Sequence, residues 1–84
     1  MNLFTIELIY CVPWHYTERA VGTMKQILDI ESIEERIESF TLIPSDGGKF
    51  EFSVNGNLLF SKKALSRHAE EGEVLDLFKK FIKE

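Results

Sequence analysis

Between residues 50 and 61 the sequence leaves the chain little choice. Phe50, Phe52 and Val54 alternate with Glu51 and Ser53, the period of two that puts one set of side chains on each face of a strand. Asn55-Gly56 follows, and these two residues tolerate the positive φ angles of a tight primed turn. Leu58 to Ser61 then reads as the returning strand of a β-hairpin. One face of that hairpin is apolar, so the remainder of the chain must supply more sheet and the helices to cover it.

The same alternation recurs near the start, where Phe4, Ile6, Leu8 and Tyr10 share one face and Thr5, Glu7 and Ile9 the other. Cys11-Val12-Pro13 then resets the chain, since the fixed φ of proline suits a first helical turn. Tyr16, Ala20, Met24, Ile27 and Leu28 recur at helical spacing with Glu18, Arg19, Lys25 and Asp29 turned elsewhere, which predicts a helix over residues 14–30. Ser39 to Ile43 reads as a second strand, stopped by Pro44-Ser45-Asp46-Gly47-Gly48. Lys62 to Gly72 reads as a loop, and Glu73 to Lys83 as a helix with Val74, Leu75, Phe78, Phe81 and Ile82 on its inner face.

The resulting order, β-α-β-β-β-α, predicts an α/β (α+β) domain spanning residues 1–84. One helix between the first two strands implies a crossover and parallel pairing, while the hairpin is antiparallel, giving a four-stranded mixed sheet. The polar alternation predicts two helices packed on one face and water on the other.

A 44% hydrophobic content with seven Phe fits a folded chain with an aromatic core. The net charge is -4 and no basic stripe interleaves with aromatics, which argues against nucleic acid as a partner. Lys62-Lys63 and Lys79-Lys80 read as solvated surface charge. Residues 1–10 contain Glu7 and lack a basic leader or a small-residue cleavage site, so they do not read as a secretory signal. No apolar run approaches the ~20 residues that cross a bilayer, so no membrane partner is expected. A single cysteine makes no internal disulfide and suits a reducing compartment, the cytoplasm.

Cys11 is the candidate for chemistry. At the start of a helix, unpaired N–H groups and the positive end of the macrodipole would favour its thiolate. His15, four residues on, would assist if protonated and turned toward the sulfur. The plainer reading makes Cys11 a small apolar filler. Cys11, His15 and His68 lack the paired spacing of zinc ligands, so no metal is expected. Gly47-Gly48 precedes a strand, unlike a phosphate-binding loop, which precedes a helix.

Ile9-Tyr10-Cys11-Val12-Pro13-Trp14, followed by the amphipathic helix, resembles the opening segment of selenoprotein W-like proteins, a group that includes selenoproteins W, T and H and the bacterial and archaeal Rdx proteins. Phe50 to Gly56 resembles the family's hairpin, Leu59-Phe60-Ser61-Lys62-Lys63 its returning strand, and Arg67-His68-Ala69 with the last helix the tail of bacterial members. The resemblance implies a thioredoxin-like fold and thiol redox work, often linked to glutathione. It carries Cys11 over as the first redox cysteine, with Val12 and Pro13 as spacer. Trp14 stands where the family places its second cysteine or selenocysteine, so the motif has no internal resolving thiol.

Two expectations follow. In the first, Cys11 is a catalytic monothiol with glutathione as co-substrate and no bound cofactor, and Val12, Pro13, Trp14 and His15 form the contact loop around it. In the second, the chain is a non-catalytic interaction module that binds a protein partner through the Cys11–Trp14 loop and the open sheet face.

Overall fold

The alternation at the start of the chain forms the central strand of the sheet. In the computed structural model, which describes residues 3–83, β1 runs Phe4–Cys11 and is flanked by β2 (Ile37–Ser45) and β3 (Phe50–Val54), with β4 (Asn57–Ser61) outermost in the order β2-β1-β3-β4. β1 pairs parallel with β2 and antiparallel with β3, and β3 pairs antiparallel with β4. The mixed four-stranded sheet expected from the sequence is present.

Both long helices, α1 (Thr17–Leu28) and a C-terminal helix over Glu73–Ile82, bury their apolar faces on one side of the sheet. On that side lie Ile6, Leu8, Phe52, Val54 and Phe60, essentially free of solvent, facing Ala20, Ile27, Val74 and Phe78. The ring of Phe78 stands edge-on to Phe4 and Phe52, with centroids 6.0 and 6.2 Å apart, a preferred aromatic geometry. On the other side Thr5 and Glu7 are exposed, while Ile9, Glu51 and Ser53 are half-buried. Among the described residues neither α1 nor the C-terminal helix packs on that face.

The hairpin turn forms as its sequence demands, with Asn55 at φ 51° and Gly56 at φ 81°. Asn55 also ties the turn to the start of β1. Its Oδ1 accepts from the Thr5 N–H and its own N–H donates to the Thr5 carbonyl, both at 2.8 Å.

Several boundaries differ from expectation. α1 begins at Thr17, with Tyr16 as its N-cap, because Val12–His15 form a turn in which His15 adopts φ 63°. A left-handed residue cannot sit inside a right-handed helix, so Pro13 serves that turn and not the first helical turn. β2 is longer than Ser39–Ile43 and includes Pro44, tolerated because an edge strand has one unpaired side. A short α2 (Glu31–Glu34) precedes it and buries Ile33 in the core. The segment read as a loop after β4 opens with one helical turn, α3 (Lys62–Leu65), because Ser61 Oγ accepts from the Ala64 N–H at 3.0 Å as an N-cap. Ser66, at φ 56°, ends it, and Glu73–Ile82 is therefore α4.

Candidate functional site

Cys11 is the last residue of the central strand. It lies opposite Ser45 of β2 in the parallel register, and its N–H donates to the Lys49 carbonyl at 2.8 Å. Its solvent exposure is 0%. The expected placement at a helix N-terminus is therefore corrected: the Val12–His15 turn separates the thiol from α1, so the field of the helix end does not fall directly on the sulfur. One link to the helix remains, because the Cys11 carbonyl accepts from the N–H of the N-cap Tyr16 at 3.0 Å.

The residues expected to surround the thiol form the exposed turn that follows it. Val12 N–H donates to the Ser45 carbonyl and His15 N–H to the Val12 carbonyl, each at 2.9 Å. Val12 and Trp14 are 45% and 57% exposed, and Pro13 and His15 also face solvent. His15 makes no side-chain hydrogen bond among the described residues, so no partnership between its ring and the Cys11 sulfur is formed. Among the described residues no three His, Cys, Asp or Glu side chains stand close enough to hold a metal ion.

Trp14 is held on three sides. Beneath it lies Gly48, buried and at φ +72°, where a Cβ would come within 2.5 Å of Trp14 Cζ3. The indole therefore rests on bare backbone. Its ring stands edge-on to Tyr16 at 6.2 Å, and Lys62 Nζ lies 5.4 Å from the Trp14 centroid and 5.7 Å from that of Tyr16, within cation–π range. Lys62, read from the sequence as solvated charge, is a structural neighbour of the turn.

Tyr16 joins this cluster to the interior. It is buried, edge-on to Phe50 at 6.5 Å and to His68 at 5.0 Å. Burial first, and then the positive charges of Arg19 and Lys62, hold the His68 imidazole below its ordinary value. The loop that carries His68 is fixed by Arg67, which donates to both carboxylate oxygens of Glu73 at 2.7 and 2.8 Å and to the His68 carbonyl at 3.0 Å. The guanidinium and the Glu70 N–H together hold the Glu73 carboxyl down at about 2. Beside this loop an open groove of about 290 Å³ runs along α1, with Arg19, Gln26, His68 and Glu71 on its walls and Phe50 and Val74 at its base.

Sequence reasoning missed Gly48, Lys62 and Tyr16 as parts of the site. Distance along the chain hides Gly48 and Lys62: the β1–β3 pairing sets Tyr10 opposite Phe50 and so brings residue 48 to the end of β1, and the β3–β4 pairing sets Ser61 opposite Glu51 and so brings residue 62 to the same end of the sheet. Tyr16 reads from the sequence as one more residue of the helix's apolar face. A signal existed at Gly47-Gly48, since two adjacent glycines allow close approach by a large side chain as well as a turn.

Residues 5–80 match the family model described as the Rdx family. The chain belongs to the Rdx family. A selenoprotein W-related protein from Vibrio cholerae shares this fold with a TM-score of 0.85 and 26% identity, over 96% of this chain and 99% of that one. A protein from Bordetella parapertussis is similar in fold, with a TM-score of 0.84 and 19% identity over 95% of this chain and 99% of its own. A comparison with curated proteins gives no significant match. Rdx membership makes this Rdx protein thioredoxin-like and of redox type. Among the described residues, no helix of the Rdx chain is long and apolar enough to cross a membrane.

Proposed function

We propose that the protein is a monothiol redox protein whose reacting atom is Cys11 Sγ and whose second reactant is glutathione or a partner protein's thiol or disulfide. The observation that carries this reading is the position of Cys11. It is the last residue of the central strand, at the carboxyl ends shared by the parallel pair β1 and β2, and the carboxyl ends of parallel strands are where open α/β sheets place their chemistry.

The reaction needs only one protein sulfur. Cys11 loses its proton to solvent, and the thiolate attacks one sulfur of oxidised glutathione. The Cys11–glutathione S–S bond forms, the glutathione S–S bond breaks, and one glutathione thiolate leaves. A second external thiol then attacks the mixed disulfide and frees Cys11. Trp14 has no thiol to do this internally, which makes the adduct persistent. A reducing compartment such as the cytoplasm supplies the external thiol and suits a lone cysteine.

Full burial of Cys11 sets a condition on this chemistry: the Val12–His15 turn must lift. Its main-chain bonds are few and Trp14 is its largest anchor, so a local opening well short of global unfolding is sufficient. A test is to incubate the native protein with oxidised glutathione and weigh it intact. One glutathione adduct is expected. In Trp14→Cys the adduct should be lost faster, because a second thiol three residues on attacks it, provided the sulfurs meet without strain. An unmodified native protein beside a reactive unfolded one would remove the monothiol reading.

The burial favours one second reading. If the turn stays closed, exposed Val12 and Trp14 serve as a binding surface for a protein partner, and the chain keeps the fold without dithiol chemistry.

A further inference from the structure

We propose that the Val12–Trp14 turn and the two ammonium groups beside it form a docking surface for an acidic, extended segment of a partner protein. The proposal rests on the redox reading and deepens it, by naming the kind of chain that meets the protein at the turn next to Cys11 before that turn opens.

The surface has an apolar centre and a cationic border. Val12 and Trp14 are the exposed centre. Lys62 Nζ stands over the Trp14 and Tyr16 rings, and Lys49 Nζ reaches Ser45 Oγ at 3.5 Å, beside the strand position of Cys11. Among the described residues neither lysine has a carboxylate within ion-pair distance, whereas Lys25 and Arg67 are paired. Of the nearby acids, Glu51 accepts from the Ser61 hydroxyl and the Lys63 N–H, and Asp46 is exposed in the β2–β3 turn.

An unpaired ammonium held against an indole is part-desolvated and gains from an incoming carboxylate, while the indole covers the apolar part of the same ligand. Overall charge selects the size of the partner. At net charge -4, the chain as a whole repels a long polyanion such as RNA or an anionic membrane, but a short acidic segment meets only the local cations. An aromatic anchor at the middle of a small patch also fits the pattern of binding hot spots.

Trp14 is the single tryptophan, so its emission reports on the surface directly. The probe is a blocked peptide of Glu and Asp with one central Phe and no cysteine; its controls are the same peptide with Lys for each acid, a single-stranded RNA, and vesicles rich in anionic lipid. The acidic peptide should shift Trp14 emission saturably, weaken about tenfold in Lys62→Glu, and weaken further as salt rises from about 0.05 to about 0.5 M. Lys49→Glu should weaken it in the same direction. Cys11→Ser should bind as the parent does, which separates docking from chemistry: a parent that forms the glutathione adduct but ignores the peptide overturns the docking proposal alone. Equal binding of acidic and basic peptides, unchanged binding by Lys62→Glu in a folded variant, or tighter binding to RNA or vesicles would each overturn it.

Discussion

At the scale of single residues, the site depends on Gly48. Its φ of +72° and the indole lying where a Cβ would stand exclude a side chain for two separate reasons. Gly48→Ala should cost about 1–3 kcal/mol through the left-handed backbone alone, and it should also push Trp14 outward, seen as a red shift of its emission. Unchanged stability and emission would mean that the indole does not rest on this backbone. His68 offers a second check. Burial, Arg19 and Lys62 all lower its folded pKa below 6.5. A lowered folded value means that the contribution of neutral His68 to stability is fully present above 6.5 and is lost as pH falls through the folded value. An NMR titration of the His68 ring should give a midpoint below 6.5 that rises in Lys62→Gln; a midpoint at or above 6.5 contradicts the packing of His68 on Tyr16.

At the scale of elements, the strands were the most legible part of the sequence. Phe50–Val54 alternates cleanly and forms β3 at those bounds, because a half-buried strand writes its burial into every second residue. Phe52, fully buried against Phe78 and Phe40, is the element's central side chain. Phe52→Ala should lower unfolding free energy by about 3–5 kcal/mol in denaturant melts, and a loss under about 1 kcal/mol would place the ring on the wrong face. The start of α1 was misread, since Val12-Pro13-Trp14-His15 carries helix-compatible residues and nothing in the letters reveals that His15 adopts φ 63°. α2 and α3, at four residues each, are too short to show a period. Ser61, which caps α3 through the Ala64 N–H, reads from the sequence only as the end of the returning strand.

At the scale of the molecule, the order of elements and the sidedness of the sheet were readable from the sequence, and so was the family. The environment of Cys11 was not, because much of it comes from the far side of the β1–β2 and β1–β3 pairings: Ser45 stands opposite it in β2, the Lys49 carbonyl accepts from its N–H, and the N–H of the N-cap Tyr16 donates to its carbonyl. The sequence placed a thiol beside a helix end, with a small buried filler as the plainer reading, and the fold buries it at the end of the central strand, just before an exposed turn. The account therefore centres on a gated thiol. Its most direct test is the rate at which oxidised glutathione modifies native Cys11, followed by intact mass at urea concentrations far below the unfolding midpoint and compared with the global unfolding rate. The account predicts modification faster than global unfolding, insensitive to low urea, and faster again in Trp14→Ala, where the turn has lost its anchor. Modification that proceeds only at the global unfolding rate, in the parent and in Trp14→Ala alike, would contradict it.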